Sequence, residues 1–217
     1  MHIGQKKAAR FYESEVESMR VSWAELSEAL TDCQKCRLCE GRNHIVPGEG
    51  NPTAQIMFIG EGPGQEEDRL GRPFVGRSGD LLTRMIHAIG IERSEVYICN
   101  IVKCRPPRNR NPEPDEAAAC LNYLRAQVAL VKPKIVVLLG KVACQYTLKE
   151  EVFITRDHGK WYERKGTWFM PTFHPSALLR DPTKKRDAWD DFQKIRAKLN
   201  ELNAAGEEGV SDGVISQ

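Results

Sequence analysis

Gln55-Ile56-Met57-Phe58-Ile59-Gly60 runs directly into Glu61-Gly62-Pro63-Gly64, and this joint decides the fold. An apolar run of strand length with no polar alternation, closed by glycine, predicts a strand buried on both faces. Val96-Tyr97-Ile98-Cys99-Asn100-Ile101-Val102 and Lys134-Ile135-Val136-Val137-Leu138-Leu139-Gly140 have the same character. Residues 161–166 and 167–173 read as a hairpin that delivers a fourth strand. Helical stretches separate these runs. Trp23, Leu26 and Leu30 share one face near the start, and a helix from Gly79 to Ala88 is expected behind a Ser78 cap. Pro114-Asp115-Glu116 opens a long helix through Leu130, with proline and acids in the first turn. Further helices are expected at 141–148 and from Lys184 to about Leu202. The alternation predicts an α/β fold: a three-layer α/β/α sandwich around a central four-stranded, mostly parallel sheet.

The chain has 217 residues, 41% hydrophobic and 29% charged, enough for one domain with a sizeable core. We expect residues 21–202 to form it, residues 1–20 to be a poorly ordered extension, and residues 203–217 to be an acidic, flexible tail. No apolar run approaches the roughly 20 residues of a membrane span, and the polar first segment lacks the core of a signal peptide. The expected compartment is therefore the cytoplasm, where thiols stay reduced and cysteine clusters mean metal or redox chemistry more often than disulfides. The net charge is only +2, but it is unevenly spread. Lys103, Arg105, Arg108 and Arg110 cluster without an acid, and residues 174–198 are also basic. Such loops suit a polyanion and are also common on solvated faces.

In sheets of this kind, ligands gather beyond the carboxyl ends of the strands, and the unusual residues fall there. Gly60 to Asp68 is rich in glycine and acid. It is not a phosphate loop, because the lysine and hydroxyl residue are missing and acids follow. Gly71-Arg72-Pro73-Phe74-Val75-Gly76 holds one aromatic between turn formers; Phe74 suits a local core or a platform for a planar base. Asn100 sits in an apolar strand, where its amide needs partners, either neighbouring backbone or the edge of a nucleobase. His174, fixed by Pro175 at the end of the fourth strand, is placed to donate a hydrogen bond to developing negative charge. The loop 176–180 that follows offers Leu178 and Leu179 as a wedge between stacked bases.

The seven cysteines supply the remaining signal. Cys33-Gln34-Lys35-Cys36 is a recurrent ligand pair with polar flanks, and Cys104 and Cys120 downstream complete a candidate quartet. Spacing alone admits zinc or an iron–sulfur cluster.

Together, Cys33 to Leu38, Gly60 to Asp68, Gly71 to Gly76, Asn100-Ile101-Val102-Lys103-Cys104-Arg105-Pro106-Pro107 and His174 to Arg180 resemble, in order, the motifs of family 4 uracil-DNA glycosylases, the iron–sulfur branch of that superfamily. The resemblance implies hydrolysis of the N-glycosidic bond of uracil in DNA, leaving an abasic site. It implies a [4Fe–4S] cluster on Cys33, Cys36, Cys104 and Cys120, with Cys39 a conceivable substitute for Cys36. Glu61, Glu67 and His174 would be catalytic, and Gly62, Phe74, Asn100 and His174 would hold uracil. Lys103, Arg105, Pro175, Ser176, Ala177, Leu178 and Arg180 would bind DNA. Other branches carry Asp or Asn about where Gly62 sits. The expected substrate is single- or double-stranded uracil-containing DNA, with no membrane partner and a monomeric enzyme. The rival readings are a non-catalytic or covalent uracil-DNA binder of the same superfamily, and a zinc-stapled nucleic-acid-binding module.

Overall fold

The computed structural model describes residues 21–148 and 150–211, and side chains through residue 205 except that of residue 149. The strands are β1 (Glu49–Gly50), β2 (Ile56–Gly60), β3 (Tyr97–Asn100), β4 (Ile135–Leu139), β5 (Tyr162–Arg164) and β6 (Thr167–Thr172). The α-helices are α1 (Trp23–Thr31), α2 (Gln65–Leu70), α3 (Arg77–Ala88), α4 (Pro114–Val131), α5 (Lys141–Thr147), α6 (Ile154–Asp157), α7 (Pro175–Arg180) and α8 (Lys185–Ser211).

The sheet has six strands, in the order β1-β3-β2-β4-β6-β5, rather than four. The four expected strands form its parallel centre, β3-β2-β4-β6. Two short antiparallel strands add the edges: β1 against β3, and β5 against β6. At two residues, β1 is too short for a hydrophobic pattern to announce it.

Strand geometry turns the solid apolar runs into two cores, because successive side chains point to opposite faces. Met57, Ile59, Val136 and Leu138 pack with Leu26 and Leu30 of α1 and with α4. Ile56, Phe58, Val137 and Leu139 pack with Leu82 and Ile86 of α3 and with Phe192 and Ile195 of α8. Burial on both faces is why these strands show no alternation. Each fully buried side chain of this kind contributes about 1.5–3 kcal/mol.

Several local expectations change. Gly76, not Ser78, stands at the N-cap of α3, whose first turn includes Arg77 and Ser78. Residues 175–180 are helical rather than a loop, with His174 as N-cap. The closing helix continues to Ser211, into the stretch expected to be a flexible tail. Residues 1–20, expected to be a poorly ordered extension, and 212–217 lie outside the described residues.

The parallel register sets the site. Gly60 is level with Asn100, and Leu139 with Thr172. Four carboxyl ends therefore open on one edge. β2 lies between β3 and β4, the place where the chain reverses its direction of winding and where such sheets open a crevice.

Candidate active site

A cleft of about 580 Å³ opens at that edge, lined among others by Glu61 and Gly62 after β2, Gly140 after β4, and His174 after β6. Phe74 reaches the same cleft from the loop between α2 and α3. It has φ +51°, uncommon for a bulky residue, so the surrounding structure must hold it there. Two contacts do so. A Cβ at Gly79 would sit 1.9 Å from the Phe74 carbonyl oxygen, so only glycine lets α3 start this close. The Glu67 carboxylate accepts the backbone N–H groups of Val75 (3.0 Å) and Gly76 (2.9 Å) on one oxygen and of Gly64 (3.1 Å) on the other. Glu67, expected to act on water or the sugar, lines the cleft but spends its oxygens on the backbone that presents Phe74.

Asn100 ends β3 fully buried, and its Oδ1 has no hydrogen-bond partner. A side chain at Gly60 would collide with this oxygen and with the Phe74 ring, so amide and ring meet above Gly60. Buried acceptors without partners are rare and costly, about 1–3 kcal/mol.

The His174 ring lies 5.6 Å from the Phe74 ring between centroids, at 34°. Its Nδ1 accepts the Ser176 backbone N–H at 3.1 Å and lies 2.8 Å from the Ser176 hydroxyl. A neutral imidazole that accepts at Nδ1 carries its proton on Nε2. Burial, with the Arg180 charge adding to it, lowers the His174 pKa to about 4, so the ring is neutral near pH 7. Burial raises the pKa of Glu61, and Arg180 opposes that rise. The Glu61 backbone carbonyl accepts the Val102 N–H (3.2 Å), while its carboxyl has no hydrogen bond to any described residue and lines the cleft. Gly62 packs tightly: a Cβ there would lie 2.8 Å from Val102.

Two expected DNA contacts are corrected. Leu178 is 1% exposed and packs with Leu81, Phe173 and Ala188, because residues 175–180 form a helix whose inner face it occupies. It cannot act as a wedge from this position; Leu179, half-buried, is the apolar residue nearer the surface. Lys103 is also 1% exposed, with its ammonium on the Asn100 carbonyl (2.7 Å) and Gln127 Oε1 (2.6 Å), so it has no reach to a phosphate. Pro175 is buried as well, while Ser176, Ala177 and Arg180 line the cleft. Arg105 donates to Asn109 Oδ1 and faces a separate hollow with Arg37 and Arg108. Lys141, Lys184, Asn109 and Asn111 line the cleft unanticipated; only the crossover of the chain brings them there.

Cys33, Cys36, Cys104 and Cys120 line one cavity, and Cys39 is not among its walls. Among the described residues, no three His, Cys, Asp or Glu side chains converge as a single metal ion requires. Arg42 donates to Cys104 Sγ (3.4 Å) and the Cys33 carbonyl (2.6 Å), and the Tyr123 hydroxyl lies 3.2 Å from Cys33 Sγ. Burial raises the Cys104 thiol pKa and pushes that of Cys120 to about 11, so ligation would release their protons. The cysteine turn is tied to α4 by Glu116, which is fully buried and accepts from Arg37 (2.9 Å) and from both Arg110 Nη atoms (2.8 and 2.6 Å).

Fold and site together define a three-layer α/β/α domain that offers a planar ring a stacking face, an unpaired acceptor and a neutral imidazole donor. The family model of the uracil DNA glycosylase superfamily matches residues 47–196. A type-4 uracil-DNA glycosylase of Sulfurisphaera tokodaii is 47% identical over 184 residues, 81% of this chain and 84% of that protein. One of Thermotoga maritima is 45% identical over 178 residues, 79% and 92% of the two chains. A type-5 enzyme of Thermus thermophilus is 30% identical over 153 residues, 56% of this chain and 69% of that protein. The chain belongs to the uracil-DNA glycosylase superfamily, in its type-4 branch.

Proposed function

We propose that this chain is a DNA-repair glycosylase that hydrolyses the N-glycosidic bond between uracil and deoxyribose. The observation that carries the chemistry is the buried, unpartnered Oδ1 of Asn100 beside the Phe74 ring. Uracil satisfies that acceptor with N3–H, whereas cytosine presents an acceptor at N3 and would leave two lone pairs facing each other. A uracil in duplex DNA must first leave the stack, at a cost of a few kcal/mol. Phe74 then offers a ring face to the flipped base.

Bond breaking places negative charge on the departing uracil and positive charge on the sugar. The Nε2–H of His174 is the donor for the oxygen that gains charge, and a neutral donor does this without first losing a proton. Glu61 is the free carboxyl of the cleft and the candidate to orient water and balance the sugar cation. Glycine at 60 lets the Asn100 amide and the Phe74 ring meet at the β2 end, and glycine at 62 leaves room for Val102. Arg180, Lys141 and Lys184 at the rim suit phosphates.

The four cysteines fit a [4Fe–4S] cluster: four thiols share one cavity, and the side chains on its wall that carry charge, Lys35, Arg42 and Lys103, are basic. An anionic thiolate centre suits that charge. When bound, the cluster would cross-link the N-terminal turn to the β3 loop and α4. The thiols, all unpaired, suit a reducing compartment such as the cytoplasm. We read the enzyme as a monomer acting on single- or double-stranded DNA.

The test is incubation with a uracil-containing oligonucleotide, then alkali to cleave at abasic sites, beside metal and sulfide analysis. Strand cleavage with iron and sulfide present is expected. An intact strand from iron-loaded protein would overturn the glycosylase reading, and stoichiometric zinc would overturn the cluster.

A further inference from the structure

Lys103 is unusual: a lysine ammonium with 1% exposure whose partners are two neutral oxygens, the Asn100 carbonyl and Gln127 Oε1. Among the described residues, no carboxylate pairs with it. Burying a charge on neutral partners costs several kcal/mol, and an apolar side chain of the same volume would fill the space without that cost. The ammonium therefore calls for negative charge close by. Its surroundings place that charge among the cysteines. Lys103 precedes Cys104 in the chain and shares the wall of the cavity with Cys33, Cys36, Cys104 and Cys120. Burial raises the Cys120 and Cys99 thiols, and the Lys103 charge acts on both against that rise.

The other end of the contact is the base-reading strand. Asn100 is the last residue of β3, and Lys103 takes its carbonyl oxygen beyond the end of that strand. Gln127 cannot turn away, because its Nε2 donates to the Pro47 carbonyl (2.8 Å) and the Tyr97 hydroxyl (3.1 Å), which leaves Oε1 for the ammonium. Lys103 thus lines the cysteine cavity while its ammonium holds the peptide that orients the Asn100 amide.

We propose that Lys103 is a positioning residue: its ammonium is the counter-ion of the thiolate centre and clamps the Asn100 peptide for uracil recognition. This rests on the four-cysteine cluster reading above. The test is Lys103→Met in metal-loaded enzyme, followed by iron and sulfide content, the midpoint potential of the centre, and KM and kcat on a uracil oligonucleotide. Removing a nearby positive charge disfavours the more negative, reduced state, so the potential is expected to fall. KM is expected to rise about tenfold, the loss of one charge-assisted hydrogen bond, with kcat changed less. Gln127→Leu keeps the charge beside the sulfurs but removes one acceptor. It should raise KM and leave the potential in place, a split that general loosening of the fold would not give. Iron-loaded K103M with wild-type potential and KM overturns the proposal. Should K103M not fold, Lys103→Arg and Gln127→Leu decide: both are expected to keep the potential and raise KM, and wild-type KM in both overturns it. Wild-type protein that binds no iron overturns the cluster reading instead.

Discussion

Two side chains divide the proposed chemistry at the residue scale, and each role follows from its surroundings. On the proposed mechanism His174 donates through the tautomer that Ser176 imposes, so its loss would remove one directed hydrogen bond to the leaving base. His174→Ala is expected to lower kcat about 10²–10³-fold with the melting temperature retained; full activity would remove it from the mechanism. Its pKa of about 4 also fixes a sign. The ring stays neutral from the ordinary imidazole value near 6.5 down to about 4, so the single-turnover rate should show no His limb near 6.5. Folding stability behaves differently: His174's contribution is complete above the unfolded value and is lost as pH falls through about 4, because the unfolded chain takes the proton first. The acid limb of the rate belongs to Glu61, whose burial places it above the ordinary carboxylate value. Glu61→Gln should abolish that limb along with most of the rate, and a rate profile unchanged by the substitution would disqualify Glu61.

Elements matter because the residues that touch the ligand are held by residues that do not. Glu67 binds three backbone N–H groups of two segments and so makes α2 the clamp of the Phe74 loop. In Glu67→Gln the amide nitrogen cannot accept, and one oxygen's bonds are lost. A cost of about 1–3 kcal/mol in urea unfolding is expected, together with weaker substrate binding. A variant of wild-type stability that lost only kcat would return Glu67 to the chemistry. Glu116 does for the cysteine turn what Glu67 does for Phe74. Hydrogen bonds from Arg110, with those of the Glu113 backbone and Arg37, hold its pKa down to about 2. Its contribution is therefore whole above the ordinary carboxylate value of 4.5 and is lost as pH falls toward about 2. Cys104→Ala should give colourless, less stable protein; normal colour would point to another ligand set.

At the scale of the molecule, cations divide into those that line the cleft and those that are buried in the fold. Arg180 lines the cleft, whereas Lys103 is sealed inside. Replacing Arg180 with Ala should reduce the salt dependence of DNA affinity by about one phosphate contact, and replacing Lys103 should leave that slope unchanged. Binding measured across a salt series separates the two, and equal slope changes would contradict the burial argument. The same contrast marks how far the sequence could be read. Both lysine and arginine were expected at DNA because composition reports charge, not which way a chain points it. The solid runs at Ile56–Ile59 and Ile135–Leu139, the ordered motifs and the Cys33–Cys36 turn were legible because hydrophobic period and short-range spacing are properties of neighbours in the chain. Those local properties determined the parallel α/β core and the edge on which Glu61, Phe74, Asn100 and His174 meet. Tertiary structure alone decided that Lys103 and Leu178 are buried, that Glu67 serves the backbone, that β1 extends the sheet, and that one cavity gathers four cysteines without Cys39. These depend on contacts between residues tens of positions apart, whose burial is set by packing rather than by their own chemistry.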